Sequence, residues 1–467
     1  MSASTVSTPT GAATDAVVRA QSRRLAALDV LRGIAILGTL ATNIGIFLAM
    51  TQTPENVSAV DHVVGTAIGL VTDGKFIGLL TIMFGIGLEI QRQSAVRKGE
   101  SWLGTYPWRA LLLVLDGLLN YFFIFEFDVL MGYGLTGLVV AFVLCGSPKF
   151  QTWIMGLGIA AHVALLTYMS WPMLTSSDDY AVLDSLPDDP ASLTPEQITQ
   201  MAQEAGVSTA EVRRMMAEYT DPSVATGGPD VIPSADAMIS STDSYWAGVV
   251  ERATNFVSGR GEIPIMFVMG MGLFLVGGWL YRAGLFEERG AKLRRWVMGL
   301  SFGIGLPLDW VTRLWFAEYT SMYNRYLTSA MVSFGLLALV AAFYARGRTP
   351  GFVGKAVSNV GKMALTCYIG QNLIASILFY DWGFGLARHM RWGVWDTVIG
   401  WAVISAILLI FSAVWLRFFR RGPIEWLWHV SHAAIIKRTL PVTDRWGEKR
   451  KAWAARRAEE KTPSPVG

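Results

Sequence analysis

The chain has 467 residues, of which 52% are apolar and only 16% charged, and its mean hydropathy is +0.39. That balance excludes a water-soluble globular protein, because the apolar residues fall in runs too long for a soluble core to hide. The net charge of +3 points to no nucleic-acid partner, and two cysteines, Cys145 and Cys367, suggest neither a disulfide framework nor a metal site.

Residues 1–24, rich in Ser, Thr and Ala, read as a disordered cytoplasmic tail. An N-terminal bundle of five spans is expected over 25–171, at 28–50, 75–91, 106–125, 128–146 and 150–171. A hydrocarbon core of about 30 Å takes about 20 helical residues to cross. In lipid, closed helices alone satisfy such a backbone. The first run is too long for a signal segment and lacks a small-x-small cleavage site, so it counts as a span. Between the first two spans, Asp61 to Val71 reads as a separate interfacial or re-entrant piece, because Asp73-Gly74 breaks it from the next run.

Residues 172–245 break the pattern. From Trp171 to Tyr245 there are thirteen Asp or Glu against two Arg, which places this segment outside the bilayer as an acidic external insertion. Thr194-Pro195-Glu196 starts one helix there, and Ser208 with Glu211 has capping-box spacing for a second. A C-terminal bundle over 246–421 follows, opening on an amphipathic stretch from Trp246 to Ser258. Its five spans fall at 262–282, 296–316, 327–345, 363–382 and 397–417. Residues 422–467 form an interfacial segment and a basic tail suited to anionic lipid. The expectation is an all-α, polytopic membrane bundle of about ten transmembrane helices with interfacial helices. Arg and Lys collect in alternate loops, which predicts an inner-membrane protein with both termini in the cytoplasm.

Polar residues inside spans are expensive and therefore carry the functional signal. Asp29, Arg32 and Asn43 share one helical stripe, and Arg109, Asp116 and Asn120 share another. From spacing alone, Asp29 and Arg32 are equally a structural pair or a ligand contact. Asp309 and Arg313 form a local pair after Pro307, and Tyr368, Gln371 and Asn372 offer interhelical glue or substrate contacts. Among five histidines, His62, beside Asp61 on the exterior side, has the placement of a general base. The other four have no nucleophile or metal partner at a telling spacing, and no phosphate-binding loop or nucleophile elbow is present.

Several segments then match in order. Leu28-Asp29-Val30-Leu31-Arg32-Gly33-Ile34-Ala35 resembles the LDxxRGxA opening of the YeiB-like family, and Phe84-Gly85-Ile86-Gly87-Leu88 its LFGxGL segment. Asp128-Val129-Leu130 with Tyr133 to Gly137 is similar to GDIL-x-x-YGLxG, with Phe127 in place of its Gly. Gly361 to Thr366 and Tyr368 to Gln371 resemble GRMALTNYLxQ, with Cys367 in place of Asn, and Trp415-Leu416-Arg417 and Gly422 to Trp428 resemble WLRxFRxGPxEWLWR. The resemblance implies a fold more than an activity. The opening motif also resembles that of membrane acyltransferases of the heparan glucosaminide acetyltransferase type. By that looser likeness, Arg32 orients a cytoplasmic acyl-CoA donor, Asn43 lines a tunnel, and His62 with Asp61 acts as base. Asp29, Asp116, Asn120, Asp128, Tyr368, Gln371 and Asn372 complete the expected substrate contacts. Two functions follow as expectations: transfer of an acyl group from acyl-CoA to an envelope glycan or lipid, or transport or flipping of a polar solute or lipid headgroup. Neither requires a tightly bound cofactor.

Overall fold

Helix is the only regular structure among the described residues, as a chain immersed in hydrocarbon requires. The computed structural model describes residues 11–49, 58–175, 193–204, 208–220, 244–257, 260–389 and 393–438. In chain order the first helices are α1 (Gly11–Ala49), α2 (Ala59–Thr72), α3 (Lys75–Arg97), α4 (Tyr106–Phe123), α5 (Leu130–Val143) and α6 (Pro148–Thr175). Helices α7 (Pro195–Glu204) and α8 (Thr209–Thr220) belong to the acidic insertion, and α9 (Tyr245–Thr254) leads to α10 (Glu262–Arg282). Then come α11 (Ala291–Leu300), α12 (Leu306–Trp315), α13 (Ala317–Tyr323), α14 (Ser329–Ala345), α15 (Phe352–Lys362), α16 (Ala364–Phe379) and α17 (Val394–Phe418). A last helix, α18, covers 423–438.

Six helices among the described residues are long and apolar enough to cross a membrane, and a seventh appears if the bent pair α15–α16 is one span. By length and composition, then, six or seven of the ten expected spans stand and ten are not confirmed. Helix α5 has 14 residues, about 21 Å, which is short of the hydrocarbon thickness. Helix α4 carries Arg109, Asp116 and Asn120, and the α11–α12 stretch carries Lys292, Arg294, Arg295, Asp309 and Arg313, so their hydropathy is too low. The break at Asp73-Gly74 is present, with Gly74 at φ +74°, yet α2 and α3 together form one 39-residue apolar stretch. Helix α1 begins at Gly11, inside the segment expected to be a tail, and residues 1–10 and the basic tail beyond 438 lie outside the described residues. In the insertion, α7 and α8 start where the capping signals predicted, and Ile198, Ala202, Val212 and Met215 form a small core between them.

Two apolar cores organise the bundle. The larger joins residues 27–35 of α1 to α3, α5, α10 and α14, through Leu28, Leu31, Ile82, Tyr133, Met269 and Leu337 among others. The second joins the second half of α1 to α16 and α17, through Ile36, Leu40, Ile44, Phe379, Ile404 and Leu408. Helix α1 belongs to both, which explains its near-complete burial on one face. Water gives no driving force for helix association inside lipid, so close backbone approach by small residues takes its place. At the α3–α10 crossing, a Cβ on Gly85 would collide with Phe274 and one on Gly277 with the Ile82 carbonyl.

Candidate functional site

The tightest approach in the bundle lies between α1 and α15. A Cβ on Gly33 would strike the Val357 carbonyl, and one on Gly361 would strike the Asp29 carbonyl. Glycine alone permits both contacts. Their chain neighbours Arg32 and Lys362 are thereby held on one wall of a common cavity. Asp29 accepts a hydrogen bond from Arg32 Nη1 at 3.2 Å, which steadies that guanidinium.

After Lys362 the chain bends through 88° into α16, leaving the first N–H groups of α16 without helical acceptors. Glu425 of α18 takes them. Its Oε1 accepts from Leu365 N–H at 2.7 Å and Thr366 N–H at 3.0 Å, and its other oxygen accepts from the Thr366 hydroxyl. The hydroxyl oxygen of Thr366 in turn accepts from Ile424 N–H at 3.0 Å. These bonds dock α18 against the bundle. On the next turn of α18, the Trp428 ring lies under the Arg109 guanidinium at 5.6 Å and stacks on His432 at 5.7 Å between centroids. Arg109 itself donates to Gln91 Oε1 at 2.7 Å. His432 Nε2 lies 3.3 Å from the Thr105 carbonyl. A carbonyl can only accept, so Nε2 carries the proton and Nδ1 the lone pair. Burial, reinforced by the Arg109 charge, holds the His432 imidazole below the ordinary histidine range.

The cavity, open on one side, has a volume of about 560 Å³. Arg32, Arg109, Lys362 and Arg421 supply four cations against the single acid Glu425, and His429 and His432 complete the polar rim. Ile36, Leu80, Met83, Phe84, Leu113 and Leu130 make apolar walls, and Tyr368 stands among them. Such a site matches an amphipathic anion: charged oxygens for the guanidinium and ammonium groups, and carbon for the walls. A larger open groove of about 670 Å³ along α6 has Lys149 as its sole ionisable lining residue and offers no comparable chemistry.

Of the residues singled out from sequence, Arg32, Arg109 and Tyr368 line the cavity. Asn43, Asn120, Asp128, Gln371 and Asn372 lie buried deeper in the bundle. Asn43 Nδ2 donates to Asn372 Oδ1 at 3.2 Å, and Asn120 Nδ2 donates to Asp128 Oδ1 at 3.0 Å. Asp128 also accepts from Met131 N–H at 3.1 Å, while the Tyr368 hydroxyl accepts from Val129 N–H at 3.5 Å. One oxygen of Asp116 is buried without a partner. Asp61 and His62 are not brought to this place. Asp61 caps α2, its carboxylate accepting from the Ser58 hydroxyl at 2.6 Å, and His62 is exposed and lines none of the described cavities. Sequence reasoning missed Gln91, Lys362, Arg421, Glu425, Trp428, His429 and His432. A signal existed for part of this set: positions 425, 428, 429 and 432 share one helical face.

A second polar centre sits at the α2–α3 junction. Lys75 Nζ lies 2.7 Å from Asp309, both side chains buried, and Arg313 pairs with Asp309 at 3.1 Å and with Asp73 at 2.6 Å. Thr328 and Ser329 add hydroxyl bonds to the Asp309 carboxylate. The local pair expected at Asp309 and Arg313 is thus part of a larger network, in which dense mutual hydrogen bonding indicates a structural pin.

Comparison with known proteins agrees with the family resemblance. Residues 280–433 match the family described as "Protein of unknown function (DUF418)", a stretch that includes Lys362, Tyr368, Arg421, Glu425 and His432. The chain is 27% identical over 436 residues to "Uncharacterized protein YeiB" of Escherichia coli (strain K12), covering 86% of this chain and 94% of that protein. It is 25% identical over 441 residues to "Uncharacterized protein YxaH" of Bacillus subtilis (strain 168), covering 90% and 97%. A shorter match, 32% over 119 residues, links it to an uncharacterized 39.9 kDa protein of Bacillus acidopullulyticus, covering 25% of this chain and 31% of that one. No solved structure matches.

Proposed function

Since the chain is a YeiB-like membrane protein, we propose that its four-cation cavity holds acyl-CoA and that the protein passes the acyl group to a hydroxyl of an envelope glycan or lipid. One observation carries the reading: Arg32, Arg109, Lys362 and Arg421 converge on a cavity whose remaining walls are largely apolar. The phosphates of the donor pair with these cations, and the pantetheine and acyl group lie along Ile36, Met83, Leu113 and Leu130. The donor end is then at the face that the Arg and Lys distribution assigns to the cytoplasm.

Asp116 lies on α4 two turns beyond Arg109 and has a carboxylate oxygen free of partners. In the proposed reaction it takes the proton from the acceptor hydroxyl. The hydroxyl oxygen bonds to the thioester carbonyl carbon, the carbon–sulfur bond breaks, and the departing sulfur receives the proton. His62 has no part in this scheme, because it is exposed and lines none of the described cavities.

The test uses purified full-length protein in lipid nanodiscs with radiolabelled acetyl-CoA and cell-envelope extract. Arg32→Ala and Lys362→Ala are each expected to weaken donor binding by about tenfold to a hundredfold, the loss of one charge-assisted contact. Asp116→Asn is expected to retain binding and lose transfer. Unchanged binding in both cation variants would end the donor-site reading. Movement of a labelled lipid headgroup across liposomes with the thioester left intact would put transport in its place.

A further inference from the structure

The cavity wall and the deep amides are in register. On α1, Asn43 follows the cavity residue Ile36 by seven residues; on α4, Asn120 follows Leu113 by seven; on α16, Asn372 follows Leu365 by seven. Seven residues are two helical turns, so each amide lies on the same face as its cavity residue and about 10 Å beyond it. All three helices leave the cavity in the same direction, and the Asn43–Asn372 hydrogen bond fixes two of the amides at one depth.

This amide layer is not self-satisfied. Gln371 is 0% exposed and neither amide atom of its side chain has a partner, and Asn372 Nδ2 and Asn120 Oδ1 are likewise buried and unpartnered. An unpaired buried polar atom costs about 1–3 kcal/mol, so four of them in one layer call for a partner from outside the protein. Other unpartnered buried atoms, such as Ser170 Oγ and Ser405 Oγ, come one to a side chain, whereas here both amide atoms of one side chain and an atom on each of two further amides are open.

We infer that the amide layer formed by Asn43, Asn120, Gln371 and Asn372 is a second subsite, continuous with the cavity past Tyr368, that binds an uncharged hydroxyl-bearing group. Its chemistry selects that class. An amide both donates and accepts, as a hydroxyl does, and carries no charge to neutralise an ammonium or a phosphate. The nearby carboxylate of Asp128 is already engaged by Asn120 and Met131. A hydrocarbon chain would leave the four open amide atoms unpaired. The inference rests on the donor-site reading only for the identity of the occupant, which becomes the acceptor end of the transfer.

The experiment is thiol accessibility in nanodiscs, using full-length protein with Cys145→Ser and Cys367→Ala and a single new cysteine. Gln371→Cys probes the subsite, and Leu119→Cys, half-exposed on the outer side of α4, is the lipid-facing control. Methanethiosulfonates react with the thiolate, which forms only where water reaches. The neutral 2-hydroxyethyl reagent is expected to modify Gln371→Cys about tenfold faster than Leu119→Cys, and faster than the anionic sulfonatoethyl reagent after scaling to a free thiol. Equal rates at the two positions, or preference for the anionic reagent, would overturn the subsite. Coenzyme A is expected to slow the modification by blocking the way in. Rapid modification that coenzyme A leaves unchanged would overturn the continuity with the cavity, whereas loss of the donor reading in the Arg32→Ala assay would leave the subsite standing. Should Gln371→Cys fail to fold, Asn120→Cys serves the same comparison.

Discussion

Glu425 shows how a single side chain can serve structure and site together. It accepts two backbone N–H groups at the start of α16, where the helix has no internal acceptors for them and where its dipole favours a negative charge. Glu425→Ala is therefore expected to cost about 1–3 kcal/mol, read as a lower melting temperature of the detergent-solubilised protein, and Glu425→Gln should recover part of the loss because its carbonyl oxygen still accepts. An unchanged melting temperature would mean that α18 is not what holds α16. At this scale the sequence was partly legible. Arg32, Arg109 and Tyr368 could be singled out because polar residues in an apolar run are conspicuous, whereas Lys362 and Arg421, exposed at helix ends, look like ordinary interfacial cations until the bend at Met363 and the docking of α18 bring them to the rim of the cavity.

Among elements, the α2–α3 junction is pinned by charge. Lys75 belongs to α3 and Asp309 to α12, so their buried ion pair joins elements more than two hundred residues apart in the chain. Removing one partner leaves an uncompensated buried charge. Lys75→Met and Asp309→Leu are each expected to destabilise by about 3–5 kcal/mol, while the double variant should lose much less than the sum. Thermal melts of the four proteins form the cycle, and additive losses would show that the two groups act independently. Helices with long apolar runs were legible from composition, since a hydrocarbon medium demands them. The expected spans that length and composition do not confirm are α4, α5 and the α11–α12 stretch. There, charged residues or short length depart from a free-standing span, and neighbouring helices supply the partners that make the placement tolerable. The separate helix α15 was also missed, because its amphipathic residues read as a loop between two spans.

For the whole molecule, the asymmetry of Arg and Lys sets the expected orientation. By that rule the cationic cavity, bounded by Arg32, Arg109, Lys362 and Arg421, is expected to open to the cytoplasm. A green fluorescent protein fused after Gly467 is expected to fluoresce in a bacterial host, and alkaline phosphatase inserted at Gly227 in the acidic insertion is expected to be active. The reverse pattern would place the cavity on the exterior and remove cytoplasmic acyl-CoA as its donor.

Composition by itself determined the solvent of this protein, and with it the helical class, because backbone polar groups in hydrocarbon must be satisfied within the helix. The ordered motifs from Leu28 to Trp428 determined its kinship. Only the tertiary structure decided the site. Arg32 and Arg421 are separated by almost the entire chain, and no local period records that they share a cavity; their meeting depends on glycine contacts, a sharp bend and a capped helix end that act across space.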